Sequence, residues 1–156
     1  MIIDFSFANF RSFRDNTAFT LKADSLKSKI DNTFEVNFNS GNSISLLKTA
    51  VVYGANASGK SNFIKTFLAF TWLIQNSHKF GLDKPQINCY EPFDLDVKTQ
   101  ESPVNFKISF ILDFIRYDYE YSFNKQKIVH EKLDFSPKGQ TSNLFTRVLS
   151  NDSDYD

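Results

Sequence analysis

The sequence has few of the residues that staple small domains together. Cys89 is its only cysteine, so no internal disulfide can form and a cysteine-built metal cluster is excluded. We read that thiol as a small buried apolar group. His78 and His130 are the only histidines and stand far apart, which reads as packed or surface side chains and not as ligands. Charge of either sign is not in excess: Lys+Arg and Asp+Glu number 18 each, for a formal net charge of zero. That argues against a strong autonomous DNA binder, and leaves nucleic-acid contacts made elsewhere open. No apolar run approaches the ~18 residues of a membrane span. The opening Met1-Ile2-Ile3-Asp4-Phe5 carries an early acid and no basic region, unlike a signal peptide. The expected location is the cytoplasm.

What is present is a core. Of 156 residues, 41% are apolar, and 18 are phenylalanine, which we read as compositional bias combined with β-rich structure. The length suits one domain or part of one.

The chemistry concentrates in Gly54-Ala55-Asn56-Ala57-Ser58-Gly59-Lys60-Ser61, which fits G-x-x-x-x-G-K-[ST]. Glycines and small residues let the backbone curl until successive N–H groups point at phosphate oxygens. Lys60 can reach β- and γ-phosphates, and the Ser61 hydroxyl can ligate Mg²⁺. A helix starting near Gly59 adds the partial positive charge of its N-terminus. Residues 49–53 read as a buried strand before the loop. Residues 63–74 hold no Gly or Pro and read as the helix after it, ending between Asn76 and Gly81. The alternative for the motif is a Gly/Ser-rich turn between strand and helix.

Elsewhere the periodicity is mostly two. Ile3, Phe5 and Phe7 predict an opening strand, Asp15-Asn16 a turn, and residues 17–21 a returning strand. Residues 22–43 are polar and read as a surface loop with a short strand at 34–38; residues 44–47 lead into the strand before the loop. Residues 82–103, with three prolines and mixed charge, read as a linker. Alternation then predicts antiparallel strands over 104–110, 115–123 and 129–135, with turns near Asp113 and Asn124-Lys125. The stripe Tyr117, Tyr119, Tyr121 reads as a sheet face and not as a base-stacking platform. The tail from Ser150 reads as frayed. The expected organisation is a core over 1–81, a linker over 82–103 and antiparallel strands over 104–149.

Asn9-Phe10-Arg11-Ser12-Phe13 and Val52-Tyr53 through Ser61-Asn62 together resemble the N-terminal half of an ABC/SMC-like ATPase. The similarity is to prokaryotic AAA family ATPases of the RloA and abortive-infection type, and more distantly to RecF and OLD-type ATPases. Tyr117 to Phe123, Ile128, Glu131 and Leu144-Phe145-Thr146-Arg147 are similar to that family's stretch after the P-loop helix. The resemblance implies an α/β P-loop NTPase lobe, with a mixed β-sheet beside the P-loop helix and an antiparallel sheet. It implies ATP and Mg²⁺ as cofactors, and Gly54 to Asn62 as the binding residues. Arg11 would approach the phosphates, the alternative being a surface arginine. Asn56 would help shape the loop. As partners it implies the remainder of an ATPase head or a second copy, meeting head to head, and a nuclease or toxin effector in anti-phage defence or DNA maintenance.

The sequence departs from that family's pattern where hydrolysis is concerned. A Walker B carboxylate pair and a signature motif do not follow. Phe110-Ile111-Leu112-Asp113 ends in an acid, but Phe114 follows and the run alternates, so Asp113 reads as a turn residue. The chain is therefore expected to be the first half of a head, inactive or very slow alone. The second reading is a nucleotide-binding sensor or assembly module that does not hydrolyse. A GTPase would carry N-K-x-D, where Asn124-Lys125-Gln126-Lys127 has lysine instead of the acid. A kinase lid would need several arginines, and the chain has only Arg11, Arg14, Arg116 and Arg147.

Overall fold

The computed structural model describes residues 1–24, 27–39, 41–77 and 86–149. His78 and the tail expected to fray lie outside the described residues.

The strands are β1 (Ile2–Ala8), β2 (Thr17–Thr20), β3 (Thr33–Phe38), β4 (Asn42–Leu47), β5 (Val104–Leu112), β6 (Ile115–Phe123), β7 (Ile128–Ser136) and β8 (Ser142–Val148). The long helix α1 spans Lys60–Asn76 and the single-turn α2 spans Val97–Gln100. Six strands form one sheet in the order β2-β1-β5-β6-β7-β8, with every neighbour antiparallel; β3 and β4 form a separate hairpin.

The alternation that predicted these strands also explains the packing. Phe5 and Phe7 of β1, Phe106 of β5, and Tyr121 and Phe123 of β6 put their rings in one buried cluster, and α1 covers it with Ala69, Phe70 and Leu73. Phe5 stacks on Phe67 at 4.3 Å between ring centroids, and Phe70 on Tyr121 at 5.3 Å. Tyr121 also donates a hydrogen bond from its hydroxyl to the Phe70 carbonyl at 3.2 Å. The tyrosine stripe is thus a sheet face. Much of the phenylalanine excess does one job, since aromatic rings bury large areas and favour tilted or offset pairs.

A register shift between Ile2 and Asp4 bulges β1, and Ile3 joins a second cluster with Val36, Leu46 and Ile111. Through it the β3–β4 hairpin packs on the sheet. Leu21 donates its N–H to Ile3 O at 2.8 Å, and Leu47 donates to Leu21 O at 2.7 Å, which ties the hairpin to the end of β2. The polar stretch 22–43 therefore holds a strand pair and a 3₁₀ turn (Lys27–Asn32), and residues 44–47 lie within β4. The turn at Asp113 is present: Asp113 and Phe114 have φ of 50° and 63°, as a two-residue hairpin turn between β5 and β6 requires.

Two expectations fail. Residues 49–53 do not form a strand; Val51 is 78% exposed and Tyr53 90%. A strand exists only through pairing, and among the described residues nothing pairs with this segment. For the same reason the expected mixed sheet is not observed: both sheets are wholly antiparallel. The chain also crosses the anticipated divisions. β1 pairs with β5, Phe5 opposite Ile108, and Ile87 is buried in the main cluster. The described part of 82–103 is ordered and carries α2. The buried Asn9 side chain donates to the carbonyls of Thr99, Ser102 and Pro103 at 2.8, 2.9 and 3.2 Å and accepts from Phe93 N–H at 3.0 Å.

Candidate functional site

The loop before α1 has the tight curl its composition predicts. Ala57 and Gly59 sit at φ of 63° and 93°, and Ser58 N–H donates to Ala55 O at 3.3 Å. Gly59 is the helix N-cap and Phe63 N–H donates to its carbonyl at 2.9 Å, so α1 begins where the motif requires. Gly59 has no side chain to cap the helix, and the first turn carries no acid, so its positive end is not neutralised locally.

Gly59 is constrained by its backbone, at a φ that strains an L side chain, whereas at Gly54 a side chain would have to displace only the Ser58 hydroxyl. A β-carbon on Gly54 would lie 2.7 Å from Ser58 Oγ, and one on Gly59 would lie 3.1 Å from Ser12 Oγ and 3.5 Å from the Phe13 ring. The Lys60 ammonium bends over the loop, donating to Gly54 O at 2.8 Å and Ala55 O at 2.6 Å. Ser61 is exposed in the first turn, and Asn62 Nδ2 donates to Ser12 Oγ at 3.0 Å. A cavity of about 200 Å³ adjoins the loop, lined by Lys60, Gly59, Val52, Tyr53, Phe13 and Phe19 among others. A lysine, a helix N-terminus and a hydroxyl on one curled loop can hold a phosphate with a hard cation beside it.

Of the residues singled out in the sequence, Gly54 to Asn62 are brought together. Arg11 has another setting. Its Nη2 lies 2.5 Å from each Glu91 carboxylate oxygen, and its N–H donates to the Glu91 carbonyl at 2.8 Å. It lines a different cavity, of about 420 Å³, with Glu91, Lys65 and Trp72. The motif residues that touch the loop are Ser12 and Phe13. The signal for them was present, since they belong to the same stretch as Arg11. Glu91 fell in the expected linker and had no sequence signal.

Asp113 is exposed in its hairpin turn. Among the described residues no group of three or more His, Cys, Asp or Glu could hold a metal. His130 lies opposite Ser122 on β6. Cys89 is half-buried, and burial pushes its thiol up to about 12, so it is protonated and unreactive near neutrality. Among the described residues no helix is long and apolar enough to cross a membrane.

A protein-family model described as "AAA domain, putative AbiEii toxin, Type IV TA system" matches residues 50–155. No curated protein matches the chain.

Proposed function

This chain belongs to that AAA-domain family of ATPase-like nucleotide-binding proteins, and from that premise we propose that it binds ATP with Mg²⁺ at residues 54–62. The observation that carries the reading is Lys60, whose ammonium lies over a loop of positive-φ residues at an uncapped helix N-terminus. In this reading the Lys60 ammonium neutralises phosphate charge, the first-turn N–H groups donate to phosphate oxygens, and the Ser61 hydroxyl is the chain's ligand to Mg²⁺. Asn62 braces the loop against Ser12.

The finer reading is an ABC/SMC-like head of the RloA and abortive-infection kind, acting in prokaryotic anti-phage defence with a nuclease or toxin effector. The family description, which names a toxin and a toxin–antitoxin system, supports the setting. The partner is the remainder of an ATPase head or a second copy. Support comes from the apolar surface beside the loop: Val51 and Tyr53 are almost bare, and Ile64 and Leu68 on the outer side of α1 are 56% and 64% exposed. Single exposed apolar side chains are ordinary, but Ile64 and Leu68 stand one helical turn apart beside the loop, an arrangement that suits docking of another polypeptide.

A second reading, a nucleotide sensor that does not hydrolyse, is favoured by one observation. The acid nearest in sequence to a Walker B pattern, Asp113, stands in a hairpin turn.

The test is titration of a fluorescent ATP analogue with Mg²⁺. Lys60→Ala removes the loop's only cationic side chain and should weaken binding by about 1.5–3 kcal/mol, the scale of a charged hydrogen bond. Equal affinity of the two proteins would refute the proposal.

A further inference from the structure

Ser61, Lys65, Leu68 and Trp72 follow one another at four- and three-residue spacings, so they form one stripe along α1. Lys65, Leu68 and Trp72 border the cavity that holds Arg11 and Glu91. Arg11 therefore stands beside the stripe that Ser61 heads, and Lys65 lies one helical turn, about 5.4 Å, below Ser61. The next residue, Ser12, takes the Asn62 hydrogen bond and abuts Gly59. Arg11 is thus a cation outside the loop whose backbone is joined to it by a single residue.

Glu91 restrains that cation. Both carboxylate oxygens meet one guanidinium nitrogen, and the Glu91 carbonyl holds the Arg11 N–H. The grip is incomplete. Arg11 Nε is buried without a hydrogen-bond partner, and the residue sits at φ 52°, a left-handed conformation uncommon for arginine. The pair is also partly solvated, with side-chain exposures of 26% and 44%, so water screens it. A phosphate offers greater negative charge and accepts two parallel guanidinium hydrogen bonds.

We propose that Glu91 is a positioning residue that holds Arg11 in reserve: when an anionic ligand occupies the first turn of α1, Arg11 exchanges the Glu91 carboxylate for that ligand's phosphate oxygens. The proposal rests on nucleotide binding at the P-loop and adds to it a competitor within the protein. The exchange is one of ion pairs, and no covalent bond forms or breaks.

The experiment titrates the fluorescent ATP analogue with Mg²⁺ against wild type, Glu91→Gln, Arg11→Gln and the double variant. Glu91→Gln keeps the backbone hydrogen bond and removes the competing charge. It should tighten binding about fivefold, the scale of a partly exposed ion pair. Arg11→Gln should weaken binding, and the double variant should match Arg11→Gln, because the gain passes through the freed guanidinium. A merely structural Glu91 gives the opposite sign, with unchanged or weaker binding in Glu91→Gln, and that result overturns the proposal. So does a gain that survives in the double variant. Glu91→Asp, which restores the charge, should return affinity toward wild type, and a failure to do so counts against the exchange. Binding lost in Lys60→Ala but not tightened in Glu91→Gln rejects the exchange while leaving the P-loop reading standing. A wild type that binds nothing rejects both.

Discussion

Ser12 and Gly59 meet so closely that a β-carbon built on Gly59 would lie 3.1 Å from Ser12 Oγ, although 46 residues of chain run between the two. Gly59 also sits at φ 93°, where an L side chain is strained. Gly59→Ala should therefore lower stability by about 1–2 kcal/mol, the scale of forcing an L residue into left-handed backbone. It should also weaken nucleotide binding by displacing the start of α1. Chemical denaturation and the ATP-analogue titration measure the two effects separately; an alanine variant with wild-type values in both would show that the contact is not constraining.

Turnover by the 156-residue chain should be negligible. Phosphoryl transfer needs a metal held on both sides, an oriented water and compensation of charge on the γ-phosphate. Losing one such electrostatic element costs about a hundred- to a thousandfold in rate. The loop supplies Lys60 and Ser61, while Asp113 stands in the β5–β6 turn. Phosphate release is the measurement, with Lys60→Ala as the control for contaminating activity. Release at about one per second or faster, abolished in Lys60→Ala, would mean that the catalytic acid lies in this chain.

Tyr121 separates ring packing from hydrogen bonding. Its ring is buried against Phe70, Phe106 and Phe123, and its hydroxyl reaches the Phe70 carbonyl. Tyr121→Phe should cost about 0.5–1.5 kcal/mol, the net value of one hydrogen bond. Tyr121→Ala should cost about 3–5 kcal/mol by leaving a cavity. Urea unfolding of both variants gives the ratio, and near-equal losses would mean that the ring contributes little.

Acid should weaken the fold partly through Asp118. Burial pushes its carboxyl up, but hydrogen bonds from Arg116 and Ser109, with the Arg116 and Lys107 charges, more than offset this and hold it below 3.8. A carboxyl whose folded value lies below its unfolded one contributes stability above the unfolded value. That contribution disappears as pH falls from about 4 through the folded value. Asp118→Asn should therefore lose less stability than wild type between pH 6 and pH 3. Parallel denaturation curves at the two pH values check this; equal losses would place the acid sensitivity elsewhere.

The legible parts of the fold were those that local periodicity decides. β1 and β5 alternate because one face meets the cluster under α1, β6 and β7 carry the same alternation of residue types, and α1 itself is an unbroken run after a glycine N-cap. β8 was not legible as a strand because it lies at the sheet edge, largely exposed on both faces. Residues 49–53 misled for the reverse reason: an apolar run implies burial, but burial depends on neighbours that the run cannot specify. At the candidate site the tight curl of residues 54–61 ahead of α1 was readable from spacing alone. The Ser12–Gly59 approach and the Glu91 grip on Arg11 were not, because each joins segments distant in sequence through side-chain geometry.

The pairing of β1 with β5 bears on how the chain is made. Met1 donates its terminal amine to the carbonyl of Ile111, across 110 residues. During synthesis β1 emerges well before β5, the strand that completes its pairing; until then Ile3, Phe5 and Phe7 have β2, the β3–β4 hairpin and α1 to lie against, while one edge of β1 stays open. Non-local closure of this kind is slow, and an unpaired apolar strand is open to association with other chains in the interval. Faster translation, or co-expression with a chaperone that shields nascent β1, should therefore change the soluble yield more than any substitution on the polar face of the sheet.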